Sequence, residues 1–134
     1  MNIYESAEDY LEMMLMLREK KGFIKSVDIA KELNVTKPSV SYAVKQLREN
    51  AYITMEKNGE IHLTESGEKI AVAVFEKHKI LCSFLKSLGI SEQTAYADAC
   101  KIEHDLSDES INAIKSYINQ NKIEITDCIY IKEE

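Results

Sequence analysis

Residues 26–50 read SVDIAKELNVTKPSVSYAVKQLREN, and two short helical periods parted by a tight turn in this stretch decide the fold. In the first, Val27, Ile29, Ala30 and Leu33 share an inward face, with Ser26 as the expected N-cap. The second opens with Thr36 at the cap and Pro38 in the first turn, where proline is tolerated. Its inward positions are Val40, Ala43, Val44 and Leu47. Outward it carries Lys37, Ser39, Ser41, Tyr42, Lys45 and Arg48, and no acid occurs between Thr36 and Arg48. A cationic face bearing short hydroxyls suits DNA, because hydroxyls reach base edges while lysines hold phosphates.

The flanks complete a motif. Tyr4–Lys21, YESAEDYLEMMLMLREKK, repeats Tyr10, Leu11, Met14, Leu15 and Leu17 at helical spacing, with acids in the first turn, bases in the last and Gly22 as a stop. After residue 50, Tyr52–Glu56 and Glu60–Leu63 read as short strands, joined by the hairpin signal KNGE with Lys57 at its tip. Helix, helix, helix, hairpin is the order of a winged helix-turn-helix. Thr64 then caps a long helix to about Leu88, which Gly89 closes. Ser91 opens a helix to about Asp105, and Ser107, followed by acids, opens one to about Asn121. KIEITDCIYIKEE, residues 122–134, alternates apolar and polar residues as a strand or a frayed tail does. The expected chain is mainly α. A winged helix-turn-helix DNA-binding domain spans residues 1–70, a helical lobe 71–121, and a tail or short strand 122–134.

The 134 residues allow one domain or two small lobes, and 45% hydrophobic with 30% charged residues describes a globular chain. No apolar run nears the ~20 residues of a membrane span, and the N-terminus lacks a basic stretch followed by an apolar one. The expected compartment is the cytoplasm. Cys82, Cys100 and Cys128 form no CxxC pair, which argues against a disulfide framework or a zinc ribbon. The net charge of −6 weighs against nucleic acid as a partner, so any DNA contact depends on local charge.

Chemistry concentrates in ACKIEHDLS, residues 99–107. Cys100, Glu103 and His104 stand at i, i+3 and i+4, on one face if the stretch is helical. Asp9 and Glu12 form a similar i, i+3 pair. Each has a plainer account: first-turn acids offset the helix dipole, a single cysteine packs in cores, and a single histidine is often packed or at the surface. Cys82, Cys128, His62 and the methionines Met13, Met14 and Met16 read as structural or surface residues.

EDYLEMMLML, DIAKELNVTKPSVSYAVKQL, LTESGEKIA, KHKILCSFL and CKIEHDLSDES occur in the order found in one family. From about residue 4 to residue 120 the chain resembles the metal-dependent transcriptional repressors of the diphtheria toxin repressor (DtxR/MntR) family, in its short manganese-regulator branch. The larger members' C-terminal SH3-like domain has no counterpart here. The resemblance implies a homodimer with a DNA-binding lobe, a helical dimerisation lobe and metal at their junction. It also implies a palindromic double-stranded operator, no membrane, and control of metal homeostasis genes.

By position, the implied ligands are Asp9, Glu12, His78, Cys100, Glu103 and His104. They would hold one or two Fe2+ or Mn2+ ions per subunit. The manganese regulators carry glutamate at the place of Cys100. The iron-responsive members carry cysteine there but methionine at the place of Asp9. Two positions of the iron-type ancillary site appear as Cys82 and Tyr96, so the donor set is a hybrid. The competing expectations are a winged helix that senses redox state or a small ligand through Cys100, and a small metalloenzyme. Absence of HExxH, a nucleophile motif or a phosphate loop opposes the latter.

Overall fold

Caps and apolar spacing set the element boundaries in the computed structural model, which describes residues 5–131. Helices α1 (Glu5–Lys21), α2 (Ser26–Leu33) and α3 (Lys37–Glu49) lead into strands β1 (Ile53–Met55) and β2 (Ile61–Leu63). Helices α4 (Glu65–Ser87), α5 (Glu92–Ile102) and α6 (Asp108–Gln120) follow. The expected helix start at Tyr4 and the last three residues of the tail lie outside the described residues. Two compact units divide between Val72 and Ala73, inside α4.

In the first unit α1 packs on α2, α3 and β2, while α3 packs on α2 and β1. Every residue from Tyr10 to Leu17 is buried, so the middle of α1 is enclosed on all sides rather than along one stripe. Met13 and Met16 therefore belong to the interior with Met14. Ser26 is not the cap of α2. Lys25 occupies that position without a side-chain hydrogen bond, and its carbonyl accepts from Asp28 N and Ile29 N. Val27 is exposed, contrary to the inward face expected of it, and Ile29 carries that face. Asn34, with φ 55°, ends α2 in the left-handed region and makes the tight turn.

Thr36 caps α3 as expected, its hydroxyl accepting from Ser39 N at 3.2 Å. Such a cap is worth about 1 kcal/mol. Val40, Val44 and Leu47 are buried beneath it. The hairpin pairs Ile53 with Leu63, Thr54 with His62 and Met55 with Ile61, and Ile61 N donates to Ile24 O at 2.9 Å. The wing is thus tied to the segment joining α1 and α2. At the start of α4, Thr64 Oγ1 accepts from Gly67 N and donates to Ala51 O at 2.7 Å.

The second unit encloses Ile80, Leu81 and Cys82 of α4, Ala95 and Ala99 of α5, Ile111 and Ile118 of α6, and Cys128. Ser91 and Ser107 cap α5 and α6 through Thr94 N and Ser110 N. Helix α5 ends three residues before the expected Asp105. Glu103 N still reaches Ala99 O, but Asp105 N turns back to Ile102 O as the chain swings toward the Ser107 cap. Residues 123–131 form no strand. Within them Thr126 N donates to Ser83 Oγ of α4 at 3.0 Å and Lys86 Nζ to Thr126 Oγ1 at 3.3 Å. Among the described residues, no helix is long and apolar enough to cross a membrane.

Candidate metal centre and nucleic-acid face

Helix α4 buries His78 completely, and the end of α5 buries Glu103 to 1% exposure. His78 Nε2 lies 2.7 Å from the Cys128 carbonyl oxygen. A carbonyl only accepts, so Nε2 carries the proton and a neutral His78 keeps its lone pair on Nδ1. That nitrogen lies 3.3 Å from Glu103 Oε2 and 3.9 Å from Cys100 Sγ. One donor atom from each of His78, Cys100 and Glu103 thus falls within 4.8 Å of the others. His104 Nε2 lies 3.6 Å from Glu103 Oε1. Tyr96 meets the His78 ring edge-on, with centroids 5.2 Å apart.

The buried Glu103 carboxylate, beside His78 and the half-buried Cys100 and His104, cannot remain there as an isolated charge, because desolvation is too costly. A divalent cation fits this set. Oxygen, nitrogen and sulfur donors converge, and the histidine's second nitrogen is fixed on a backbone carbonyl, as is usual for metal-bound histidine. Residue-type spacing exposed Cys100, Glu103 and His104. It gave no sign of the Cys128 carbonyl, since an acceptor on the main chain leaves no mark in residue identity.

In the first unit, Asp9 and Glu12 stand one turn apart on α1. Asp9 is half-buried, while Glu12 is 3% exposed among the apolar residues of that helix. A carboxylate so placed needs a cation or hydrogen-bond donors.

Lys37, Ser39, Ser41, Tyr42, Lys45 and Arg48 are all exposed along α3, and Lys57 is exposed at the hairpin turn. Tyr42 is 67% exposed for a large aromatic side chain and, with Ser39 and Pro38, borders a surface cleft whose other wall is Ser6, Ala7 and Tyr10 of α1. Glu56, Glu60 and His62 form a separate group on the hairpin, Glu56 and His62 exposed and Glu60 half-buried. His62 Nε2 lies 3.1 Å from Glu56, and this hydrogen bond draws the Glu56 carboxyl below its usual range. Cys82 and Cys128 are both buried, and their mutual interaction raises the Cys82 thiol and lowers that of Cys128.

The family description "Iron dependent repressor, N-terminal DNA binding domain" matches residues 2–61, and "Iron dependent repressor, metal binding and dimerisation domain" matches residues 64–125. An uncharacterised HTH-type transcriptional regulator of Methanocaldococcus jannaschii is 38% identical over 120 residues, 88% of this chain and 96% of that protein. The HTH-type transcriptional regulator MntR of Bacillus subtilis is 39% identical over 109 residues, covering 81% of this chain and 77% of its own length. Among solved structures, T. acidophilum IdeR superposes with a TM-score of 0.76 at 26% identity over 93% of this chain. The manganese regulator SloR gives 0.72 at 28% identity over 89%. The chain spans 57% and 55% of those two proteins, little more than half of each.

Proposed function

Because this chain belongs to the iron-dependent repressor family of DtxR/MntR regulators, we propose that it is a transcriptional repressor whose DNA binding is switched by Fe2+ or Mn2+. The relatives matched are transcriptional regulators rather than enzymes, so the metalloenzyme alternative falls away. The observation that carries the reading is the convergence of His78 Nδ1 and Glu103 Oε2, both buried, with the Sγ of the half-buried Cys100.

In this reading His78, Cys100, Glu103 and His104 supply two imidazoles, a thiolate and a carboxylate, and Asp9 and Glu12 add oxygens from α1. Carboxylates suit Mn2+ and Fe2+, and the thiolate moves preference toward softer ions. When bound, one or two ions per subunit supply cross-linking and positive charge. Residues 1–70 serve as the DNA-binding domain and 71–121 as the metal-binding and dimerisation domain, with 122–134 as a tail. Ser39, Ser41 and Tyr42 face base edges in the major groove, while Lys37, Lys45 and Lys57 hold phosphates.

The working form is a cytoplasmic homodimer on a palindromic operator at metal homeostasis genes. Holding α1 to the later helices narrows the spacings open to the two copies of α3. A dimer that must address half-sites at fixed separation gains affinity from that restriction.

The test is binding of anaerobically purified protein to duplexes selected from a random pool, with Mn2+, Fe2+ or chelator. Affinity is expected to rise with either ion and to collapse in chelator. Replacing Glu103 and His104 together with alanine is expected to abolish that rise. Equal affinity in metal and in chelator overturns the reading.

A further inference from the structure

The chain leaves α6 through Lys122, whose φ of 54° turns it back, and Ile123 N donates to Ile118 O at 3.0 Å. Residues 123–130 then meet three side chains of α4. Thr126 N donates to Ser83 Oγ at 3.0 Å, Lys86 Nζ donates to Thr126 Oγ1 at 3.3 Å, and the Cys128 carbonyl accepts from His78 Nε2 at 2.7 Å. Thr126 Oγ1 also lies 3.4 Å from Cys128 Sγ, which ties the anchored residue to the one that touches the histidine. Cys128 joins the core of the second unit, and Ile123 packs against it. Cys128 has a φ of 50°, in the left-handed region that residues other than glycine seldom adopt. Such a conformation persists only where its surroundings over-determine it, and here it delivers a carbonyl to a candidate ligand.

Packing holds the rest of the His78 ring. Phe75 stacks on it with centroids 6.1 Å apart and planes 21° from parallel, and Tyr96 meets it edge-on at 5.2 Å. Tyr130, from the same late segment, lies 6.1 Å from the Tyr96 ring. Aromatic neighbours fix where the ring lies, but they do not choose which nitrogen keeps a proton. A hydrogen-bond acceptor makes that choice. The Cys128 carbonyl holds the proton on Nε2 and turns Nδ1, the atom beside Glu103 and Cys100, into the one that can ligate.

We propose that residues 123–130 are a clamp whose docking on α4 sets metal affinity by holding the His78 Nε2–H on the Cys128 carbonyl. This rests on the metal-switched reading above, and it gives Cys128 a positioning role through its backbone rather than its sulfur. Loss of such an outer hydrogen bond lowers metal affinity by about 10- to 100-fold. The coupling is reciprocal: whatever factor docking adds to ion binding, ion binding adds to docking. A bound ion therefore slows the opening of residues 123–130 by the same factor.

The experiment uses the full chain, purified anaerobically, with separate readouts for the ring, the ion and the segment. Nuclear magnetic resonance of the 15N-labelled, metal-free protein reports the slowly exchanging His78 Nε2–H. Mn2+ titration followed by electron paramagnetic resonance gives affinity, and hydrogen exchange read by mass spectrometry follows residues 123–130 with and without saturating Mn2+. Cys128→Gly and Cys128→Pro both remove the thiol, but glycine adopts a φ of 50° freely and proline is held at about −65°. The glycine variant is expected to keep both the Nε2–H resonance and the Mn2+ affinity of the parent chain. The proline variant is expected to lose the resonance and to bind Mn2+ about 10- to 100-fold more weakly. In the parent chain, Mn2+ is expected to slow exchange across the segment by about the same factor.

Equal Mn2+ affinity in the two variants, or exchange over residues 123–130 unaltered by Mn2+, overturns the proposal. Should circular dichroism show that the proline variant does not fold, the exchange measurement on the parent chain decides alone. A parent chain that binds neither Mn2+ nor Fe2+ defeats the metal reading instead, and the Nε2–H resonance in the two variants still reports whether the clamp orients the ring.

Discussion

Gly67 lies in the first turn of α4, where a methyl group has nowhere to go. A Cβ built there meets the Tyr52 carbonyl oxygen at 2.0 Å and the Tyr52 carbonyl carbon at 3.0 Å. Both atoms are backbone, so no rotamer relieves the contact. Gly67→Ala has two opposing effects. Alanine is favoured over glycine in a helix by up to about 1 kcal/mol. Against that, the oxygen must retreat by about 1 Å, which carries an overpacking cost of about 1–3 kcal/mol or more. The same oxygen accepts from Thr64 N at 3.0 Å, a bond worth about 1 kcal/mol that such a retreat weakens.

Steric cost therefore wins, and the net loss is about 2 kcal/mol. For a unit of this size, that is a fall in Tm on the order of 10 °C. In urea the midpoint drops by about 1 M. Circular dichroism of the chelated protein measures both. Because Tyr52 leads directly into β1, operator affinity is expected to fall as well. A midpoint equal to or above that of the parent chain refutes the packing argument.

Other perturbations separate strain, DNA contact and metal binding. Ala51 has a φ of 62°, a strained value for an L residue, so Ala51→Gly is expected to stabilise the chain by about 0.5–1 kcal/mol in the same urea assay. Lys45→Ala is expected to weaken operator binding and to reduce the salt dependence by about one counterion, with Mn2+ affinity unchanged. Mn2+ at about 100 times its Kd is expected to add about 2.7 kcal/mol of stability, and Asp9→Ala to remove most of that gain. A full gain in the Asp9 variant, coupled with none in Cys100→Ser, would return the sensing role to the cysteine alone.

Sequence periodicity carried most of the architecture because caps and hairpin turns act locally. Thr36, Thr64, Ser91 and Ser107 each bond the backbone of the turn that follows, and residue type alone announces that bond. Ser26 has the same chemistry and no such bond, since α2 begins one residue earlier than its side chain suggests. The tail shows the opposite failure. Its alternation of apolar and polar residues resembles a strand, yet its hydrogen bonds go to single side chains of α4. Cys100, Glu103 and His104 were legible by spacing, even though helix α5 stops before two of them. His78 was legible only through the family resemblance, because its value lies in what a distant carbonyl does to its ring.

Overall acidity and DNA binding are reconciled by distance. At physiological salt, exposed charges more than about 8 Å apart are largely screened, so the phosphate backbone senses the residues nearest it. Along α3 those are Lys37, Lys45 and Arg48, all exposed, with Lys57 on the hairpin and no acid from Thr36 to Arg48. Part of the negative charge belongs to the buried carboxylates of Glu12 and Glu103, which long-range attraction or repulsion at the surface does not explain. Burial makes those groups expensive to keep ionised, and a divalent cation lowers that expense while adding positive charge. On the metal-switched reading, the feature that makes the chain look unsuited to nucleic acid is thus partly the proposed donor set through which metal would control its approach. On this account, neutralising Glu103 without supplying metal changes net charge in the favourable direction yet does not produce operator binding.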